Sequence, residues 1–216
     1  MYNLLYSFIF VHIPKTGGTT IRNMLEVLPL STPVPQHMSI HDYKKIKINY
    51  NKMFKFSVVR NPYDLTVSRF FFYKNIWLKK TIANNVPYKN KMTNMNFSDF
   101  VKNENIYLES HKSWTNLKTS AHKNYLKDKP DFNQFSLLSI DNKIECDHVY
   151  KFENMKDNLK NICERFGIGD IESNTNLHFN KSNRGKYQKY YDSETKKIIA
   201  KRFDKDIDYF KYAFDS

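Results

Sequence analysis

The feature that most constrains this chain is a glycine-containing loop between an apolar run and a helical repeat. The run Tyr6–His12 is β-branched and aromatic without polar alternation, which predicts a strand covered on both faces. The segment Pro14–Thr20, hereafter the glycine loop, follows directly. Apolar residues then recur at helical spacing from Ile21 to Leu28 and stop before Pro29, so the pattern predicts strand, loop and helix.

A second unit of the same kind follows. Phe54–Val59 predicts a strand. Arg60 and Asn61 separate it from the next helix, and Pro62 suits the first turn of that helix. Two such units are typical of a parallel sheet with crossover helices. We therefore predict the α/β class, with a central parallel sheet flanked by helices and a P-loop-like anion loop. At 216 residues, the chain is expected to form one domain, 1–216.

The remainder is less regular. Residues 79–130 are rich in Asn and Lys and are predicted to form a cap over the functional site of the protein. Beyond them we predict two strands joined by a turn, a helix closed by a glycine, and a C-terminal helical pair. These are Phe135–Ile140 and Cys146–Phe152 with the turn Asp141–Asn142, Met155–Phe166 with Gly167, and Glu194–Phe203 with Ile207–Phe214.

The amino-acid composition excludes several classes of protein. Hydrophobic residues make up 40% and aromatic residues 16%, enough for a core, so wholesale disorder is excluded. The longest apolar run, Leu4–Val11, is too short to span a membrane, and it lacks the basic flank of a signal peptide. Two cysteines make no disulfide framework and are expected to be reduced. We therefore expect a cytoplasmic protein without a membrane span.

Charge points to anionic partners. The net charge of +13 would attract nucleic acid, anionic lipid, nucleotide phosphates or acidic sugars, and charge alone does not choose among them.

The glycine loop has the chemistry of an anion cradle. Amides at a helix start are unpaired and carry the positive end of the helix dipole, and Gly17 and Gly18 let the backbone close on an anion. Thr16, Thr19 and Thr20 can add hydroxyl donors and Lys15 a point charge. The alternative is an ordinary tight turn.

The residue order disfavours a nucleoside triphosphatase. A Walker A loop places its lysine after the last glycine, whereas Lys15 precedes both. The second strand also ends in Arg60, where such enzymes carry the aspartate that holds Mg²⁺.

Arg60 and Ser68 suit a second phosphate. Arg60 at a strand's carboxyl end offers a bidentate fork, and Ser68, two helical turns on, can add a hydroxyl. The alternative for Arg60 is a structural salt bridge, for instance with Asp64.

Together these motifs resemble a known family. His12–Thr20 is similar to the 5'-phosphosulfate loop of sulfotransferases that use 3'-phosphoadenosine 5'-phosphosulfate (PAPS), and Val59–Asp64 with Ser68 resembles their 3'-phosphate motif. The likeness is greatest to the carbohydrate branch, including the uronyl 2-O-sulfotransferases, and extends through Tyr150–Asn154 and Asn180–Ser182. Golgi-resident relatives carry an N-terminal anchor, so a Golgi location is expected only if this sequence is a fragment.

The resemblance also implies a late basic loop that completes the cofactor pocket. His178–Tyr187 holds three cations, and its candidate cofactor-binding residues are Lys181, Ser182 and Arg184. A solvated basic loop, or one that touches only the acceptor, is the alternative.

A neutral histidine suits the deprotonation of an acceptor hydroxyl. The uronyl 2-O-sulfotransferases place their base in a His-x-Ser-hydrophobic-x-Asp-aromatic run ahead of the phosphate-binding arginine, which matches His37 best; His41 is the second candidate.

The resemblance thus implies transfer of a sulfuryl group from PAPS to a hydroxyl, with 3',5'-ADP (PAP) as product. His37 and Lys15 are the expected catalytic residues, no metal is required, and a carbohydrate acceptor, possibly acidic, is the expected partner, with no nucleic acid. Two alternatives stay open, namely a nucleotide-dependent kinase with an atypical P-loop and a basic nucleic-acid-binding module.

Overall fold

The structure is a computed structural model that describes residues 1–34, 37–78, 94–103, 133–169 and 184–215, with the side chains of 76–78 left out. The strands are β1 (Tyr2–Asn3), β2 (Phe8–Val11), β3 (Ser31–Thr32), β4 (Phe54–Val59), β5 (Ser139–Ile140), β6 (Lys143–Ile144) and β7 (His148–Lys151). The helices are α1 (Gly18–Leu25), α2 (Ile40–Lys44), α3 (Pro62–Leu78), α4 (97–103), α5 (Gln134–Leu138), α6 (Met155–Phe166), α7 (Ser193–Arg202) and α8 (Asp204–Phe210). Short 3-10 turns lie at Tyr50–Lys52, Phe152–Asn154 and Tyr187–Tyr190.

The chain divides into two units. The first comprises Met1–Arg60 and Phe132–Lys181, and the second comprises Asn61–Asp131 and Ser182–Ser216. The predicted single domain, with a cap at 79–130, stays a prediction; of the cap, only 94–103 are among the described residues.

The first unit holds a five-stranded sheet in the order β3-β1-β2-β4-β7. Strands β2, β4 and β7 run parallel, with Phe10 opposite Phe56 and Ser57 opposite Val149. The short strands β1 and β3 run antiparallel to their neighbours. The α/β class is therefore confirmed, and the sheet is mixed, with the predicted parallel strands as its core.

Aromatic rings from the parallel strands form the core of this unit. Phe8, Phe10 and Phe56 are at most 1% exposed, and the Phe10 and Phe56 rings stack at 5.1 Å between centroids. The helices α1 and α6 pack against these rings through Ile21, Leu25, Ile162 and Phe166. This burial of apolar side chains is the main force that holds the ends of β2 and β4 side by side.

The prediction of a strand over Phe135–Ile140 was wrong for most of its length. Asn133 accepts a hydrogen bond from the Ser136 amide at 2.7 Å and thereby caps α5. Strand geometry is confined to β5, which pairs with β6 as a separate hairpin. Asp141 and Asn142 form the turn of this hairpin, and both have positive φ, as a tight hairpin turn requires. The turn joins β5 to β6 and not to the predicted strand Cys146–Phe152, of which His148–Lys151 forms β7 beside β4.

The second unit is helical where it is described. Pro62 is the first residue of α3, as predicted, and Tyr63, Val67 and Phe70 on that helix join an aromatic core. The 3-10 turn at Tyr187–Tyr190 and the helices α4 and α7 supply the other core residues, which include Phe97, Phe100, Tyr191, Ile199 and Phe203.

Two further helical predictions were close. The helix Met155–Phe166 is confirmed, with Gly167 in the left-handed conformation after it. The C-terminal pair lies at Ser193–Arg202 and Asp204–Phe210. Within the described ranges, no helix combines the length and the apolar character needed to cross a membrane.

Candidate functional site

The glycine loop joins β2 to α1 in a left-handed turn. Gly17 is the N-cap residue of α1 with φ of 79°, and Lys15 also has positive φ, at 68°. The hydroxyl of Thr16 donates to the Ile13 carbonyl at 2.9 Å, which holds the turn closed. The glycine N-cap offers no side-chain acceptor to the amides at the start of α1, and the Thr20 amide donates to the Gly17 carbonyl at 3.0 Å.

Close packing makes both glycines necessary. A Cβ on Gly17 would come within 2.5 Å of Cε of Met155, and one on Gly18 would overlap the His12 ring. Neither position therefore has room for a side chain. Thr20 is buried and Thr19 is exposed.

Arg60 reaches the glycine loop from the end of β4. Its guanidinium lies over the Phe152 ring at 3.9 Å, and its Nη1 donates to the Lys15 carbonyl at 2.8 Å. Gln134 pairs with both main-chain groups of Arg60, accepting from its amide and donating to its carbonyl, each at 2.8 Å. The residue is only 8% exposed, so its orientation is set from several sides.

His37 lies beside the start of this loop. Its backbone is left-handed with φ of 67°, an uncommon conformation for a non-glycine residue, and its Nδ1 lies 3.2 Å from the His12 carbonyl oxygen. Because a carbonyl oxygen only accepts, Nδ1 of His37 carries the proton in this hydrogen bond. In the neutral ring, Nε2 is then the nitrogen that can take up a proton.

The second candidate base, His41, is placed differently. It is exposed on α2, whose N-terminus is capped by Ser39 and Asp42 in a reciprocal capping box.

The His12 side chain is half-buried among other groups of the first unit. Its Nδ1 is sealed from solvent and has no hydrogen-bond partner among the described residues. Burial, together with the neighbouring His37, lowers the pKa of His12 well below its ordinary value of 6.5. A pocket with room for about one water molecule lies between His12, Arg22, His37 and Tyr43.

The remaining predicted residues belong to the second unit or lie outside the description. Ser68 is buried in α3. Arg184 forms an ion pair with Asp64 at 2.5 Å, with side-chain exposures of 8% and 17%. Lys181 and Ser182 lie outside the described residues. No group of three or more His, Cys, Asp or Glu with a metal-binding arrangement occurs in the part of the chain that is described.

Sequence reasoning missed three residues that shape this site. Gln134 lies just before the predicted strand Phe135–Ile140 and was given no role, although Asn133 before it is a helix-capping residue that could have signalled α5. Phe152 was seen only as the end of a strand, and no signal marked it as the ring beneath Arg60. His12 was recognised only as a neighbour of the glycine loop.

Comparison with known proteins gives a family match. The model of the sulfotransferase family matches residues 2–213. No curated protein gives a significant match. Among solved structures, the chain is similar to that of the mouse sulfotransferase SULT7A1 complexed with PAP, with 16% identity, a TM-score of 0.43, and coverage of 97% of this chain and 87% of that one.

The resemblance drawn from the two phosphate motifs is thus confirmed for the family, while the carbohydrate branch stays a prediction. Because the family model extends over nearly the whole sequence, including the glycine loop and Arg60, the chain belongs to the sulfotransferase family.

Proposed function

We propose that this chain is a PAPS-dependent sulfotransferase that acts on a hydroxyl of a carbohydrate acceptor. The observation that carries the proposal is the hydrogen bond from the Arg60 guanidinium to the carbonyl of Lys15. It joins the two sequence motifs that resemble the 5'- and 3'-phosphate motifs of the family. Family membership over residues 2–213 supports the same reading.

The residues present fit a phosphosulfate. Gly17 and Gly18 pack against Met155 and His12 with no room for a Cβ, at a helix start whose N-cap offers no side-chain acceptor. Lys15 adds a cation at the same loop. Amides and cations are the donors that an anionic sulfuryl and phosphate group requires, and none of them needs a metal.

When bound, PAPS supplies an activated sulfuryl group. Lys15 and the amides of Gly17, Gly18 and Thr19 would hold its 5'-phosphosulfate and would stabilise negative charge on the 5'-phosphate oxygen. The threonine hydroxyls of Thr16 and Thr20 support the loop from within, since both residues are buried. The motif resemblance assigns Arg60 and Ser68 to the 3'-phosphate, and it assigns Lys181, Ser182 and Arg184 to the segment proposed to complete the cofactor pocket.

His37 takes the proton of the attacking hydroxyl at Nε2. The hydrogen bond from its Nδ1 to the His12 carbonyl supports this role, because it leaves Nε2 unprotonated in the neutral ring. The deprotonated acceptor oxygen would then receive the sulfuryl group from bound PAPS, with PAP as the leaving group.

The acceptor is proposed to be a carbohydrate, and an acidic one fits best. The motif resemblance supports the carbohydrate branch, and the net charge of +13 would attract a polyanionic glycan. A panel of uronic-acid and neutral polysaccharides incubated with sulfur-labelled PAPS tests this. We expect label on the uronic-acid polymers at low salt; label only on neutral polymers or on no polymer contradicts the acceptor class.

The catalytic assignment is tested on the same assay. Lys15→Ala should lower transfer of label by about a hundredfold, because a positioned charge is removed from the departing phosphate. Lys160→Ala, which removes a highly exposed lysine of α6, is the matched control and should keep wild-type transfer. Wild-type transfer by Lys15→Ala would remove the glycine loop from the mechanism.

A further inference from the structure

The His12 ring fills the space between the glycine loop and His37. On one side it contacts Gly18 so closely that a Cβ there would overlap it. On the other side the His12 and His37 rings meet edge to face, 4.7 Å apart between centroids. Behind it, the Phe10 ring stacks parallel at 5.9 Å. One side chain thus separates the anion cradle from the proposed base.

The surroundings of His12 keep this ring neutral. The groups that face it are His37, Arg22 and the amine of Met1, and each disfavours a positive charge on the imidazole. Its enclosed Nδ1 has no partner among the described residues that would stabilise an imidazolium. The His12 ring therefore stays uncharged, and it does not compete with His37 for a proton.

We infer that His12 is a positioning residue, which holds the neutral imidazole of His37 at the glycine loop in the tautomer that accepts a proton at Nε2. The inference rests on the proposed function, in which His37 is the base. Two contacts to His37 come from this one residue, the main-chain carbonyl at 3.2 Å and the ring edge.

The backbone of His37 makes such support necessary. Its left-handed φ of 67° is uncommon for a side-chain-bearing residue, and such conformations persist where the surroundings impose them. Removal of the His12 ring takes away the edge contact that holds the His37 imidazole against the carbonyl. Both tautomers of a neutral imidazole are then accessible.

Nuclear magnetic resonance of the protein without nucleotide tests the tautomer directly. The ¹⁵N shifts of His37 should report Nδ1–H in the wild type and an average of both tautomers in His12→Ala. His148, whose ring packs on Tyr150 at 4.1 Å in the same unit, supplies the control variant His148→Ala, which should leave the His37 shifts unchanged. An unchanged Nδ1–H signature in His12→Ala overturns the inference.

Kinetics then separate positioning from general stability. His12→Ala should lower kcat for PAPS conversion to PAP about ten- to a hundredfold, with the KM for PAPS changed less than about threefold. In a His37→Ala background the same substitution should have almost no effect, because His12 acts through His37. An equal loss in both backgrounds, or a loss confined to KM, contradicts the inference.

A second variant covers the case in which His12→Ala does not fold. His12→Phe retains a flat ring beside His37 and should keep the Nδ1–H signature of the wild type; an average of both tautomers in this variant overturns the inference. If His37→Ala itself keeps wild-type turnover, the proposed base is wrong, whereas the tautomer measurement still decides whether His12 orients His37.

Discussion

Nη1 of Arg60 donates a hydrogen bond to the main-chain oxygen of Lys15 across 2.8 Å, although the two residues are 45 positions apart in the chain. This contact links the carboxyl end of β4 to the loop that follows β2. It brings together two short sequence motifs, each of which lies at the end of a strand. The parallel pairing of β2 with β4 makes the contact possible, since parallel strands end at the same edge of the sheet.

Replacement of Arg60 should weaken the nucleotide. Removal of a charged hydrogen bond costs about 1.5 to 3 kcal/mol, so Arg60→Ala should raise the Kd of PAP roughly ten- to a hundredfold in calorimetry. Arg165 offers a matched control, because its guanidinium also lies over a phenylalanine ring, that of Phe54, at 3.5 Å. Arg165→Ala should bind PAP like the wild type; equal losses in both variants would mean that Arg60 acts through stability alone.

A methyl group on Gly18 should disrupt the loop. Its Cβ would overlap His12, so Gly18→Ala forces either that ring or the start of α1 to move, and both PAP affinity and the melting temperature should fall. Gly169→Ala is the control, since nothing lies within 4 Å of a Cβ at that position. Normal PAP binding by Gly18→Ala would show that the cradle does not require close backbone packing.

Acid should destabilise the fold through His12. Its folded-state pKa lies well below 6.5, so the unfolded chain binds a proton that the folded chain does not as pH falls below that value. The free energy of unfolding should therefore drop by about 1 kcal/mol more between pH 7.5 and 5.5 in the wild type than in His12→Phe.

Urea unfolding at the two pH values measures this difference. The Met1 amine, whose pKa is lowered to about 5 by burial, contributes in both proteins and largely cancels. Identical pH dependence in the two proteins would mean that the His12 imidazole is not kept neutral by the fold.

The Arg184–Asp64 pair should stabilise the second unit. Both side chains are largely buried, so Asp64→Asn leaves an uncompensated cation and should lower the free energy of unfolding by about 3 kcal/mol. Removal of both partners should cost less than the sum of the single losses. Additive losses in this double-mutant cycle, measured by urea unfolding, would show that the pair does not couple.

Local sequence patterns predicted a strand or a helix correctly where they were compatible with only one of the two. The strand Phe54–Val59 and the helices that begin at Pro62 and Met155 follow from apolar runs, proline placement and a closing glycine. The helix Gln134–Leu138 was missed because its apolar residues fit a buried strand equally well. Its capping asparagine was the discriminating signal.

The site was predicted less completely than the fold. Residue chemistry indicated Lys15, Arg60 and His37, because each sits at a strand end or in a recognisable run. Contacts between distant positions gave no local signal. The ring of Phe152 under Arg60 and the two hydrogen bonds between Gln134 and the Arg60 main chain arise only when the chain folds and brings these distant positions together.

The central claim, that the glycine loop and Arg60 bind a PAPS-type nucleotide without metal, is tested most directly by calorimetric titration of PAP in the presence of EDTA. We predict saturable binding at one site by the wild type, a rise in Kd of at least about tenfold in Arg60→Ala, and much weaker binding of ATP with Mg²⁺. Binding of ATP with Mg²⁺ as tight as that of PAP, or loss of PAP binding on chelation, would contradict the account and favour a kinase.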